Sequence, residues 1–194
     1  MTEKEKKLVD AIGKVKDHAE LLDLWNRHKE NKLTAEEDAL WKKGKLLEYV
    51  VLRAFELEDA QVTWPYSINL GDGSGTLEQI DGAFFIDGYH VLTECKDYAT
   101  NINIEPFSKM RNQLLRRPSF AIGCIFVRNG FTEPAIALSR FCAPQTILLW
   151  SGAELEYCIE NNKMVEAFKL KIRKAVEEFE FNYNVKAYFD RPKI

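Results

Sequence analysis

The stretch from Gln79 to Asp97, QIDGAFFIDGYHVLTECKD, constrains this chain more than any other. Two β-prone runs flank Asp87-Gly88, a dipeptide of the hairpin-turn kind. The first run carries Asp81 and continues through Ala83, Phe84, Phe85 and Ile86; the second spans Tyr89 to Lys96 and ends Glu94-Cys95-Lys96. Alternate residues of a strand share a face, so Glu94 and Lys96 point the same way. An acid and a lysine closing an otherwise apolar strand, with Asp81 on the strand before, make a candidate magnesium site. Asp81 and Glu94 are its oxygen ligands, and Lys96 stands beside an attacking water.

Spelling alone does not single the site out. About one acid-x-Lys triplet is expected by chance in a chain of this size, and this one has Glu5-x-Lys7, Glu30-x-Lys32 and Glu94-x-Lys96. The first two lie in charge-rich helical sequence and read as solvated faces. Only the third follows an apolar β-prone run, Val91, Leu92 and Thr93, with an acid on the preceding strand.

The 194 residues, 46% hydrophobic and 29% charged, describe a globular chain able to bury a core. No run approaches a membrane span and MTEKEKKLVD lacks a signal-peptide core, so a cytoplasmic protein is expected. Cys95, Cys124, Cys142 and Cys158 are widely spaced in apolar segments, which suits reduced core thiols. A net charge of -3 gives no overall nucleic-acid signature; such binding needs a local basic surface.

Residues 1–39 read as a helical segment on the core, with Leu8, Ile12, Val15, Ala19, Leu22 and Trp25 near a 3.6-residue period. Thr34 and Glu37 spell a capping box, and one helix is expected from Thr34 to Leu57. On it, Glu48 lies about 20° from Phe55 around the axis, inside the apolar stripe. It is either a flank carboxylate that snorkels out or pairs with Arg53 or Lys45, or a third acid facing the site. A strand follows over 61–70 with Pro65 marking an edge or bulge, and GDGSG at 71–75 reads as a hairpin loop. After Lys96 a helix from Pro106 to Arg117 carries Lys109, Arg111, Arg116 and Arg117 as candidate phosphate contacts, with Gln113 one turn before Arg117. Ser119 to Arg128 reads as a buried strand and Thr132 as the cap of a helix reaching Cys142. Gln145 to Trp150 is another strand, followed by helices over 153–160 and 163–180. The aromatic tail suits a strand, a docking arm or loose chain. His18, His28 and His90 are scattered and receive no catalytic role.

This ordered set resembles the PD-(D/E)xK, or restriction-endonuclease-like, nuclease superfamily, and more narrowly its Mrr-like branch. The resemblance is carried by Gly44-x3-Glu48, Ile80-Asp81, Glu94-Cys95-Lys96 and the strand-turn-helix-strand block from Phe120 to Leu149, which contains Asn129-Gly130-Phe131-Thr132. It covers roughly residues 40–160. Proline does not precede Asp81, and no recognisable winged helix or other DNA-reading domain accompanies the core, so target recognition is open.

The resemblance implies an α/β fold of three layers, α/β/α, around a central mixed sheet, with a 40–160 nuclease-like core, the N-terminal segment 1–39 and a C-terminal helix and tail at 161–194. It implies a metal-dependent endonuclease that hydrolyses DNA, in defence against foreign DNA or in repair. Asp81, Glu94, Glu48 and the Cys95 carbonyl would bind Mg²⁺, with Mn²⁺ as substitute. Lys96 would activate or orient water, and Gln113 would position substrate or water. DNA is the expected partner, with a homodimer or a targeting protein as further expectations. Two other readings stay open: a non-cleaving module that binds nucleic acid or protein, and a subunit that cuts only with its targeting partner.

Overall fold

The computed structural model describes residues 2–41, 44–71 and 75–191. The chain opens with α1 (Glu3–Ile12) and α2 (His18–Lys29), started by Thr2 and Asp17 side chains that accept from otherwise unpaired amides. The Thr34–Glu37 capping box is formed and starts α3 (Ala35–Leu40). The single helix expected from Thr34 to Leu57 is instead two, α3 and α4 (Lys45–Glu56). Gly44 explains the break: its φ of 73° is left-handed, accessible to glycine but incompatible with a continuing right-handed helix. Lys42 and Lys43 lie outside the described residues.

The strand expected over 61–70 is also two, β1 (Gln61–Thr63) and β2 (Tyr66–Asn69). Pro65, with no amide hydrogen to give a ladder, falls between them. β2 pairs antiparallel with β3 (Thr76–Ile80) in a separate two-stranded sheet. Residues 72–74 of the stretch expected as a hairpin loop, 71–75, lie outside the described residues. The central hairpin is β4 (Gly82–Ile86) and β5 (Tyr89–Lys96). Asp87 (φ 48°) and Gly88 (φ 86°) form the doubly left-handed turn such a hairpin favours. Asp81 does not sit within the first hairpin strand, as expected, but at the junction where β3 gives way to β4.

Then follow α5 (Glu105–Leu115), β6 (Ile122–Val127), α6 (Glu133–Ser139), β7 (Ile147–Trp150), α7 (Gly152–Glu160), α8 (Met164–Glu178) and α9 (Val185–Phe189). The α6 helix stops short of Cys142, and Thr132 at its N-cap position makes no side-chain cap bond. The main sheet has the order β1-β4-β5-β6-β7. Its hairpin half is antiparallel and β5-β6-β7 is parallel. It is the mixed sheet expected. Phe84, Val91, Phe126 and Trp150 face one core shared with α1, α2, α4, α7 and α8. Leu92, Ile125, Val127 and Leu149 face a second core under α5 and α6. Helices on both faces make the three-layer α/β architecture.

Gly123 lets α5 lie close on the sheet: a Cβ there would come within 2.6 Å of the Met110 side chain. That approach sets Lys109 and Gln113 over the neighbouring strand ends. All four cysteines are buried thiols. Among the described residues no helix is long and apolar enough to cross a membrane.

Of the three states open for the aromatic tail, the structure shows a docked segment ending in α9. Lys171, fully buried, donates to Leu149 O (2.7 Å) and Tyr183 O (2.6 Å) and pairs with Glu154 Oε1 (2.8 Å). Glu154 Oε1 also accepts from Val185 N at 3.1 Å. One lysine and one glutamate thereby tie the tail to β7 and α7.

Candidate active site

The β4–β5 register ends at Gly82↔Thr93, and one step further places Asp81 opposite Glu94. Asp81 Oδ2 accepts from the Cys95 amide at 2.9 Å, which fixes the carboxylate against the end of β5. Gly82 is needed beside it. Its φ is 150°, and a Cβ would stand 2.5 Å from Leu52 Cδ1. The chain therefore passes tight against α4, and Glu48 lies one turn before Leu52 on the same helix face.

Glu94 is fully buried. Its Oε2 accepts from Lys109 Nζ at 2.5 Å, and its Oε1 lies 2.8 Å from Lys96 Nζ. The second contact is out of alignment, which leaves Oε1 a buried acceptor without a hydrogen bond. Lys109 Nζ is also 3.9 Å from Asp81 Oδ1, so one ammonium touches both carboxylates. Of the two alternatives for Glu48, the structure shows a buried side chain whose oxygens both accept from Lys45 Nζ at 2.9 Å.

Burial and mutual repulsion govern the charges. Burial, then the charge of Asp81, pushes the Glu48 carboxyl up to about 7, and the Lys45 hydrogen bond only partly offsets this. Burial, then Glu94, raises Asp81 as well. Burial works against the Lys96 ammonium, but its contact with Glu94 prevails and holds it above the ordinary lysine value. Lys96 is thus a cation here, suited to orienting water and to meeting developing negative charge.

The Glu48 shift has a testable consequence. The folded state holds that proton more tightly than the unfolded chain, so stability is full below about 4.5 and is lost as pH rises through about 7. The difference amounts to up to about 3 kcal/mol. Glu48→Gln removes it. In urea unfolding with chelator present, the variant should match wild type near pH 4 and exceed it by about 1–3 kcal/mol at pH 8.

Buried oxygen donors, one lacking a hydrogen bond, suit a hard cation in chemistry. In the arrangement present, lysine ammonium groups neutralise the carboxylates. Among the described residues no group of three or more His, Cys, Asp and Glu side chains is arranged to hold a metal ion. Lys109 is 40% exposed along its side chain, so it has a path to solvent should a cation replace it.

The other expected site residues are dispersed. Lys109 joins the acids instead of presenting a free cation. Arg116 and Arg117 both pair with Glu78, Arg117 Nη2 at 2.7 Å from Oε2. Arg111 is exposed. Gln113 is buried and donates to Gln79 O at 3.2 Å, with its Oε1 unpartnered; it holds the β3 backbone just before Asp81.

A neighbouring group escaped the sequence. His28 Nε2 lies 2.7 Å from Asp97 Oδ2, and Arg128 Nη1 lies 3.5 Å from Asp97 Oδ1. Arg128 Nη2 also donates to Lys29 O at 3.1 Å. The cluster pins α2 to the end of β5, directly after Lys96. Only the position of Asp97 beside Lys96 could have signalled it.

No family model matches the chain, and no curated protein does. Among solved structures, a protein of unknown function, AF1548, matches at 17% identity over 61% of this chain and 67% of its own, with a TM-score of 0.49. The DNA modification-dependent restriction endonuclease AspBHI matches at 12% identity over 78% of this chain, with a TM-score of 0.37. This chain spans 38% of that structure's length.

Proposed function

We propose that this chain is a Mg²⁺-dependent nuclease that hydrolyses DNA phosphodiester bonds, of the restriction-endonuclease-like kind and its Mrr-like branch. One observation supports the reading: buried Asp81, just before β4, lies opposite buried Glu94 near the end of β5, Lys109 Nζ stands 3.9 Å from the first and 2.5 Å from the second, and Lys96 Nζ is 2.8 Å from Glu94. Asp81 and Glu94 would hold the ion, with the Cys95 carbonyl and Glu48 completing the oxygen set. A divalent cation neutralises charge on the scissile phosphate and supplies hydroxide near neutral pH. The chain's own residues do the rest. The Cys95 amide orients Asp81, Lys96 orients the water and meets charge developing on the phosphate, and Lys109 vacates the carboxylates for solvent or a phosphate oxygen.

A second reading, a non-cleaving module that binds nucleic acid or protein, is favoured by the lysines that already neutralise the acids. The two separate in one assay on supercoiled plasmid and circular single-stranded DNA. A nuclease nicks or linearises at least one of them with Mg²⁺ or Mn²⁺ and stops with chelator. Intact substrates under every metal condition would select the module.

A further inference from the structure

Lys109 Nζ is 2.5 Å from Glu94 Oε2 and 3.9 Å from Asp81 Oδ1. A divalent ion held by both carboxylates sits about 2.0–2.3 Å from their oxygens, in the space this ammonium fills. The two cations exclude each other, so entry of one is exit of the other. The helix that carries Lys109 is fixed: Gln113 donates to Gln79 O at 3.2 Å, and Met110 lies tight on Gly123. The exit is therefore a turn of the Lys109 side chain, which is 40% exposed, and not a movement of α5.

α5 also offers the ammonium a second partner. Glu105 opens the helix, four residues before Lys109, and residues four apart are neighbours on one face. Glutamate followed by lysine is the favourable order of such a pair. The Glu105 side chain is exposed and, among the described residues, makes no ion pair. It lines one cavity of about 200 Å³ together with Lys96, so its carboxylate stands next to the site.

We infer that Lys109 is the resident counter-ion of this site and moves to Glu105, one turn back along α5, when a divalent ion binds; the presence of a metal site rests on the reading above. Two properties follow. The ion must displace a bound ammonium, so the chain takes it up more weakly than the bare carboxylates would. A site blocked nine-tenths of the time loses about tenfold in affinity. Without metal, Lys109 also screens buried acids that otherwise repel each other, so the empty fold leans on it.

The test measures Mn²⁺ binding to the full chain by the electron paramagnetic resonance of free Mn²⁺ at one pH, alongside thermal unfolding in chelator and in Mn²⁺. Lys109→Met should bind Mn²⁺ about tenfold more tightly than wild type, unfold at lower temperature in chelator, and gain more from Mn²⁺. Should it fail to fold without metal, Lys109→Gln, which can still donate to Glu94, carries the same comparison. Glu105→Gln should weaken Mn²⁺ binding by about twofold in the wild-type chain and leave it unchanged beside Lys109→Met. Wild-type or weaker Mn²⁺ affinity in Lys109→Met, or no bound Mn²⁺ in either protein, would overturn the exchange; a Glu105 effect equal in both backgrounds would overturn the move to Glu105. Tighter Mn²⁺ in Lys109→Met with DNA left uncut by wild type would sustain the exchange and refute the nuclease reading. Metal-dependent cutting by wild type with Mn²⁺ affinity indifferent to Lys109 would do the reverse.

Discussion

In magnesium buffer, Glu94→Gln should cut DNA on the order of 10³-fold more slowly than wild type while keeping its cooperative unfolding. The size follows from its place. Losing an outer partner of a metal ligand typically costs about 10–100-fold, and Glu94 would be a ligand itself, buried and opposite Asp81. The fold should survive. Glutamine keeps the shape, relieves repulsion on Asp81, and frees two lysines whose side chains are 26% and 40% exposed and can reach water. Asp81→Asn should behave alike. On the proposed chemistry, Lys96→Met should lose rate without losing metal affinity, because Lys96 would face the reacting groups and not hold the ion. The measurement pairs single-turnover cleavage with thermal unfolding. Wild-type rates in Glu94→Gln would remove Glu94 from the chemistry. Collapse of the fold in both acid variants would make the cluster structural.

Lys171→Met should destabilise the chain by about 3–5 kcal/mol, the cost of removing one partner from a buried ion pair. For a chain of this length that lowers Tm by roughly 6–20 °C. Glu154 would keep its bonds to the Ser151 and Val185 amides but lose its counter-charge, and the carbonyls of Leu149 and Tyr183 would lose a donor. Protection from hydrogen exchange should fall first around residues 181–189, which those bonds hold. Adding Glu154→Gln should recover part of the loss, since the uncompensated charge is then gone. A drop under about 1 kcal/mol would show that the tail is held by its apolar contacts alone.

The parts of this fold legible in the sequence are those set by local chemistry. Asp87-Gly88 turns the hairpin because two left-handed residues are needed there. Thr34 and Glu37 cap a helix, and Ile122–Val127, apolar throughout, forms a strand buried on both faces. The angle of Glu48 around α4 places it in the apolar stripe, but only the structure decides between snorkelling, pairing and facing the site: it is buried and paired with Lys45. Breaks were harder. A glycine inside an apolar stripe reads as tolerated until its φ is known, which is why α3 and α4 merge on paper at Gly44. Partners distant in the chain were illegible: Lys109 reaching Glu94, Glu78 taking both arginines, and His28 reaching Asp97 across 69 positions. Basic residues on α5 look like free cations until a tertiary contact supplies the acid. The same absence of long-range information hid Lys171, which on helical spacing is one more lysine among several.

The most direct measurement is a crystal of the wild-type chain soaked in Mn²⁺ and recorded at the manganese absorption edge. A nuclease site gives an anomalous peak within about 2.0–2.3 Å of an Asp81 oxygen and a Glu94 oxygen, the range of hard cation–oxygen bonds, with the Lys109 ammonium swung away. No peak there at saturating Mn²⁺, with Lys109 still spanning both carboxylates, would contradict the proposed chemistry.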